Sequence, residues 1–172
     1  MNVFTVSFFG HRRIDDPIPV ERKLEQLVLE LLRSKEYVEF LVGRDGEFDL
    51  LVASTIRRCK RTYRNDNSAL IWVMPYETAE YRDNREAYDD YYDEVEVCSE
   101  SAGKHFKAAH QIRNRAMIDR SDLAVFCVSH ASGGAYQTLK YAQKNTAKVI
   151  NLSANLESKR LTIGTLATPQ TL

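Results

Sequence analysis

The chain carries no excess of charge and no hydrophobic run long enough to cross a membrane. Its 24 lysines and arginines are balanced by 24 aspartates and glutamates. Proteins that bind nucleic acid mainly through its phosphates usually carry a basic excess, so we expect nucleic acid to be an unlikely partner. Residues 3–9 are apolar, but Gly10 ends this stretch far short of the length that spans a bilayer. We therefore expect no membrane partner.

Cysteine is also scarce. The chain has three cysteines, Cys59, Cys98 and Cys127, at wide spacing and with no histidine at metal-site spacing. An odd number in this arrangement argues against a disulfide framework and against a structural zinc site. Reduced thiols and the lack of a signal-peptide pattern predict a cytoplasmic protein. We predict no metal ligands and no required cofactor, although a nucleotide-type ligand fits the motifs described below.

Five apolar segments alternate with segments of helical periodicity. The apolar segments are residues 3–9, 38–42, 69–74, 123–128 and 147–152. Strands that are apolar throughout and alternate with helices indicate a parallel sheet covered on both faces. The sequence therefore predicts an α/β fold, a Rossmann-like open parallel sheet of about five strands in the order 3-2-1-4-5, with helices on both faces.

The length of 172 residues fits a single domain, which we assign to residues 1–153. Residues 76–103 interrupt the alternation with tyrosines among many aspartates and glutamates. We predict that they form an excursion from the sheet with at most short helical pieces. The pattern fades after residue 153, so we predict a loosely ordered tail over residues 154–172.

The predicted strand order places a ligand crevice between strands 1 and 4, where the winding direction of the sheet changes. Gly10, His11 and Arg12 follow strand 1 and therefore lie at this crevice. His11 could donate to a phosphate or act as a general base near neutral pH. A role as a hydrogen-bonding loop residue is the simpler interpretation.

Ser132, Gly133 and Gly134 follow strand 4 and open a helix. Glycines at a helix start let backbone amides approach a phosphate, and the helix dipole favours an anion there. The simpler alternative is a strand-to-helix turn that needs glycine for its dihedral angles. Placement beside the crevice favours phosphate binding.

The exit of strand 2 carries a second glycine-containing turn. Gly43 begins it, Gly46 suits a turn residue with positive φ, and Asp49 follows. Asp49 could bond a ribose hydroxyl, or it could cap the helix that begins here. The sequence leaves both roles open, with the cap slightly favoured.

Arg113 and Asn114 lie on the helix before strand 4, and Arg113 falls on its apolar face. A buried guanidinium needs an anionic partner, because an unpaired buried charge is costly. Arginine suits phosphate through its bidentate geometry. The alternative is an internal salt bridge, for instance to Asp122 or Asp49.

Six short motifs of the chain, taken in order, resemble the YpsA-like branch of the SLOG superfamily, which also contains DprA and the Lonely Guy phosphoribohydrolases. They are residues 9–12 (FGHR), 43–49 (GRDGEFD), 74–76 (MPY), 113–122 (RNRAMIDRSD), 133–135 (GGA) and 149–152 (VINL). The resemblance covers residues 3–152. It implies a Rossmann-like fold and a nucleotide-type ligand, and it places the catalytic arginine of the Lonely Guy enzymes at Arg113.

Those enzymes also use a glutamate that closely follows their glycine loop. Here the corresponding loop is residues 132–138, and Leu139, Lys140 and Tyr141 come after it. The glutamate is therefore missing. This departure argues against hydrolysis of their type and leaves phosphate binding intact. The resemblance also implies that the chain forms a homo-oligomer, as its Lonely Guy relatives do.

We therefore expect a sensor or binding domain for a nucleotide or a nucleotide-derived small molecule. The alternative is an N-glycosidic hydrolase that takes its carboxylate from Asp49, Asp119 or the excursion. Single-stranded DNA binding, as in DprA, is the less favoured function because the net charge is zero.

Overall fold

The computed structural model describes residues 1–145 and 148–153. The strands are β1 (Val3–Gly10), β2 (Tyr37–Val42), β3 (Ser68–Met74), β4 (Glu94–Val97), β5 (Leu123–Cys127) and β6 (Val149–Asn151). The helices are α1 (Pro17–Ser34), α2 (Glu47–Thr62), α3 (Ala79–Asp83), α4 (Arg85–Tyr91), α5 (Phe106–Asp119) and α6 (Gly133–Asn145). The predicted tail over 154–172 lies outside the described residues. Within those residues, no helix is both long and apolar enough to cross a membrane.

All six strands pair in parallel in one sheet, in the order β4-β3-β2-β1-β5-β6. The α/β class and the parallel sheet are confirmed. The predicted strand count and order are wrong, because β4 adds a sixth strand beside β3, while the five expected strands keep their relative order. β4 was missed because Glu94 to Val97 alternates acidic and apolar residues over only four positions.

Helices cover both faces of the sheet, which explains why the central strands are apolar throughout. One face packs against α1 and α2, for example through Val28 and Ile56. The opposite face packs against α5 and α6 through Met117 and Leu139. Both apolar layers stop at the carboxyl ends of the strands, where polar loops take over.

The tyrosine-rich excursion of residues 76–103 forms α3, α4 and β4. It is held to the sheet by Trp72 of β3, whose ring lies 5.1 to 5.7 Å from the rings of Tyr81, Tyr88 and Tyr92. Tyr92 is fully buried in this cluster. The tyrosines therefore act as anchors that attach an acidic segment to the end of the sheet.

Candidate functional site

The carboxyl ends of β1 and β2 enclose a cavity of about 360 Å³, the first cavity, together with α2, α5 and α6. It lies beside the switch point between β1 and β5, as the predicted crevice does. The predicted residues that line it are Gly10, His11, Arg12, Gly43, Asp49, Arg113, Asn114, Gly133 and Gly134. Ser132, which was also predicted, is not among its lining residues. One cavity thus brings together segments from four parts of the chain.

Two glycines allow the loops around the first cavity to approach one another closely. A Cβ at Gly10 would lie 2.4 Å from the ring of Phe48, and a Cβ at Gly46 would lie 2.5 Å from Cα of Arg12. The φ of Gly46 is −167°, so the expected positive-φ turn is wrong. Gly46 is needed because the backbone of Arg12 leaves no room for a side chain. The amide of Glu47 donates to the carbonyl of Arg12 at 2.9 Å and fixes this contact.

The start of α6 lines the first cavity with Gly133 and Gly134. Gly133 has φ of 87°, in the left-handed region that favours glycine. The carbonyl of Gly134 accepts hydrogen bonds from Gln111 Nε2 at 3.2 Å and from Thr138 Oγ1 at 3.0 Å. Among the described residues, no side chain accepts a hydrogen bond from the amides of Gly133 and Gly134. Amides in the first turn of a helix have no partner within the helix and attract anions.

Arg113 points inward, as its helical position predicts, and is 3% exposed. Its Nη1 donates to the carbonyl of Val73 at 2.9 Å, and its Nη2 donates to Asp45 Oδ2 at 2.5 Å. Its Nε donates to Asn114 Oδ1 at 2.9 Å, while Asn114 Nδ2 donates to Thr138 Oγ1 at 3.0 Å. Arg113 therefore ties α5 to β3 and to the loop after β2, and Asn114 ties α5 to α6.

Asp45 supplies the negative charge that Arg113 requires. The partners we expected are engaged elsewhere, since Asp122 accepts a backbone amide of β1 and Asp49 accepts the amide of Asp45. Burial opposes ionisation of Asp45, but the hydrogen bond from His110 and the charge of Arg113 outweigh it and hold the pKa of Asp45 below its ordinary value. The same hydrogen bond raises the pKa of His110, against the effect of burial.

Asp49 is buried in the first turn of α2. Its Oδ2 accepts the amide of Asp45 at 2.8 Å. Burial raises the pKa of Asp49 to about 6, although the hydrogen bond from that amide acts in the opposite direction. This arrangement favours a structural role over ribose recognition, because the carboxylate holds the loop before α2, although it does not act as the side-chain cap at the N-cap position, which is Gly46.

His11 is fixed by three contacts at the exit of β1. Its amide donates to the carbonyl of Cys127 at 3.3 Å, and its Nε2 accepts the amide of Ser129 at 3.1 Å. Its ring stacks on the ring of His130 with a centroid distance of 3.6 Å. Burial and then His130 lower the pKa of His11. The amide that donates to Nε2 places the proton of the neutral ring on Nδ1. Because Nε2 is already an acceptor, this geometry does not suit a general base.

Sequence reasoning missed Asp45, His110 and Gln111, which also line the first cavity. His110 precedes Arg113 by three positions on α5, a spacing that places both on one helix face and could have revealed it. Asp45 had no comparable signal, because only the fold brings the loop after β2 against α5. Within the described residues, no group of three or more histidine, cysteine or acidic side chains could hold a metal ion.

No family model and no curated protein matches the chain. The chain is similar in structure to DNA processing protein A from Helicobacter pylori, which binds single-stranded DNA, with a TM-score of 0.55 and 16% identity. The alignment covers 83% of this chain and 61% of that chain. At this identity the likeness establishes the fold alone, so the chain has a Rossmann-like fold related to that of DNA processing protein A.

This comparison corrects one expectation from the sequence. The zero net charge led us to expect that nucleic acid is an unlikely partner. A protein with a related fold binds single-stranded DNA. Net charge averages over the whole surface and does not describe a local groove, so it does not exclude a nucleic-acid partner.

Proposed function

We propose that the first cavity binds a nucleotide or a nucleotide-derived small molecule through its phosphate. The observation that carries this proposal is the meeting of two features at one cavity. The amides of Gly133 and Gly134 begin α6 there, and the cavity of about 360 Å³ has the size of a small-molecule site. The close packing at Gly10 and Gly46 supports it, because it keeps these loops in a fixed arrangement.

The charges around the first cavity support an anionic ligand. Asp45 is neutralised by Arg113 and His110, so this group of three carries no excess negative charge when His110 is neutral and a positive charge when it is protonated. The side chain of Arg12 is exposed at the cavity and makes no ion pair with a described residue. A phosphate at the α6 amides therefore meets cations as well as backbone donors.

The same contacts favour binding over catalysis. All three types of guanidinium nitrogen of Arg113 already donate to protein atoms, and His110 is held by Asp45 and the carbonyl of Phe106. Asp49 holds its own turn. A hydrolase that cleaves a glycosidic bond needs a carboxylate free to act at the sugar. We therefore place the N-glycosidic hydrolase second to a sensor or binding domain.

Isothermal titration calorimetry with AMP, GMP, CMP, UMP, ADP-ribose and cyclic nucleotides tests the proposal. Gly134→Asp places a carboxylate at the α6 amides, where its Cβ meets only the flexible end of Gln111. We expect at least one compound to bind the wild type and to lose at least tenfold in affinity with Gly134→Asp. Ala108→Asp, an exposed site on α5 outside the cavity, is the matched control and leaves the affinity unchanged. Heat from no compound, or equal binding by all three proteins, contradicts the proposal.

Single-stranded DNA is a second candidate ligand, favoured by the fold shared with DNA processing protein A. Near the end of α2, Arg58, Lys60 and Arg64 form ion pairs with acidic residues, so these three cations are less available to a phosphate backbone. Arg12 and Arg13, exposed at the loop after β1, remain the available cations near the crevice.

Fluorescence anisotropy with labelled oligothymidylate at low salt tests this second candidate. We expect binding that weakens as salt rises, and that falls at least threefold when Arg12 and Arg13 are both changed to alanine. Arg64→Ala serves as the control and leaves binding unchanged. Anisotropy that does not rise with protein concentration dismisses single-stranded DNA as a ligand.

A further inference from the structure

The ring of His110 is held between two oxygen atoms at the wall of the first cavity. His110 lies on α5, about one turn before Arg113, and its side chain is 35% exposed. Its Nδ1 lies 3.2 Å from the carbonyl oxygen of Phe106, and its Nε2 lies 3.4 Å from Asp45 Oδ1. Both ring nitrogens of His110 therefore face an oxygen.

Both of these oxygens accept hydrogen bonds and have no proton to donate. The carbonyl of Phe106 is an acceptor by its chemistry, and Asp45 is kept ionised by the guanidinium of Arg113, which donates to its other carboxylate oxygen. A neutral imidazole has one N–H and can donate to one of the two oxygens, whereas an imidazolium donates to both. The geometry around His110 therefore suits the protonated ring, and the raised pKa of His110 agrees with it.

The groups that face His110 from the neighbouring elements determine what its proton does to the first cavity. Asp45, from the loop after β2, and Arg113, from α5, carry opposite charges that cancel. Tyr76, which follows β3, places its ring centroid 5.9 Å from that of His110. The part of α6 that lines the cavity consists of glycine and alanine. The proton of His110 thus converts a cluster without net charge into one with a single positive charge.

The other titratable groups on the wall of the first cavity change charge at lower pH. Burial raises the pKa of Asp49 to about 6, and burial lowers the pKa of His11 from its ordinary 6.5. Above about pH 7 Asp49 is therefore mostly ionised and His11 is mostly neutral. Arg12 adds a cation to the same wall. His110 is thus the group of this wall whose charge we expect to change between about pH 7 and pH 9.

We infer that His110 is a proton-dependent cation that sets the affinity of the first cavity for an anionic ligand. The cavity binds the anion tightly while both ring nitrogens of His110 carry a proton, and it releases the anion as the pH rises. This inference rests on the proposed function and deepens it, because it names how binding at that site is regulated. Since linkage is reciprocal, a bound anion also makes His110 hold its proton more tightly.

Calorimetry at about pH 7 and about pH 9 tests the inference with AMP, GMP, CMP, UMP, ADP-ribose and cyclic AMP. Across this range the phosphates of these probes keep nearly the same charge, because a phosphate monoester loses its second proton near pH 6. His110→Gln removes the titrating ring and keeps an amide that can donate to Asp45. His105→Gln is the matched control, because His105 is exposed and lines neither this cavity nor a second one of about 220 Å³ beside the start of α1. Thermal melting verifies that each variant is folded.

We expect the best probe to bind the wild type and His105→Gln at least threefold more tightly at the lower pH, because one positive charge near the anion contributes at least this much. His110→Gln should bind it equally at both pH values, within twofold of the wild type at the higher pH. If the wild type shows no pH dependence, or if His110→Gln keeps that of the wild type, the inference is wrong while the proposed function stands. If no probe binds at either pH, the proposed function itself fails and the inference fails with it.

NMR titration of the histidine rings measures the proton of His110 in the protein without ligand. The signal that is lost in His110→Gln identifies this ring. We expect it to titrate at higher pH in the folded protein than in the urea-unfolded protein, and at still higher pH when the best probe is bound. A His110 ring that titrates at or below the pH of the unfolded protein, or that does not respond to the bound probe, overturns the inference.

Discussion

Arg44 and Asp45 are neighbours in the loop after β2, yet their side chains lie in two different regions of the molecule. The Arg44 guanidinium is 4.7 Å from the ring of Tyr88, and its Nη1 donates to the hydroxyl of Tyr92 at 3.2 Å. Asp45 instead accepts from Arg113 in the first cavity. Arg44 is thus held mainly by aromatic rings, with Glu80 Oε1 3.5 Å from its Nε, whereas Arg113 is held by the carboxylate of Asp45.

The aromatic region around Trp72 is stabilised by burial, whereas the first cavity contains charges that are costly to bury. The aromatic region buries large rings and positions a cation over their faces, both of which stabilise the fold. In the cavity, the pair of buried Arg113 with partly exposed Asp45 contributes little net stability, but losing Asp45 leaves the Arg113 charge buried and unpaired. We expect substitutions in the aromatic region to change only stability. Substitutions in the cavity should change both stability and ligand binding.

Arg113→Met should have the largest effect on stability. The variant removes the partner of Asp45, whose side chain is 35% exposed, and leaves the buried carbonyl of Val73 without its donor, so the free energy of unfolding should fall by about 3 to 4 kcal/mol. Urea denaturation measures the change. Arg115→Met on the exposed side of the same helix is the control and should stay within about 0.5 kcal/mol. Equal losses in the two variants contradict the assigned ion pair.

Tyr92→Ala tests the aromatic region. Removing a buried ring beside Trp72 should lower the free energy of unfolding by about 3 kcal/mol. Tyr63→Ala, at a residue that is 53% exposed, should cost far less. Because Asp45 is still held by Arg113, the nucleotide affinity of folded Tyr92→Ala should remain within twofold of the wild type in calorimetry. A large loss of affinity shows that the two regions are coupled.

Asp49→Asn should have the smallest effect, visible as a change in pH dependence. Burial raises the pKa of Asp49 from 3.8 to about 6. The folded state therefore binds this proton more tightly than the unfolded state, and stability falls as pH rises through the window between those values. We expect the wild type to lose about 2 kcal/mol relative to Asp49→Asn between about pH 4 and pH 7.

Urea denaturation of both proteins at several pH values measures this difference. The raised pKa of His110 also reduces stability as pH rises, at values above the ordinary 6.5, but it does so in both proteins and cancels. Parallel pH profiles for wild type and Asp49→Asn exclude a raised pKa at Asp49.

The sequence predicted most of the fold and much of the lining of the first cavity. Buried parallel strands are apolar throughout, so their pattern is strong, and the strand order brings Gly10 and Gly133 together. The inward position of Arg113 also follows from helical spacing alone.

The features of the fold and of the first cavity that were not predicted depend on tertiary contacts, which the local sequence pattern does not encode. β4 has too few apolar residues to be read as a buried strand. Asp45 becomes the partner of Arg113 only after α5 packs against the loop after β2. The predicted conformation of Gly46 was wrong because a glycine can be required either by a positive φ or by the close approach of another backbone. Only the position of Arg12 in the fold shows that close approach is the reason here.

The position of β4 at the end of the sheet has a consequence for how the molecule behaves at high concentration. An edge strand leaves backbone groups open on one side, and such an edge invites another copy to add a strand and start aggregation. Glu94 and Glu96 occupy two of the four positions of β4. Glu96 is paired with Arg120 at 2.6 Å, so Glu94 is the carboxylate that two copies meeting edge to edge would bring together, and its charge opposes growth into a continuous sheet.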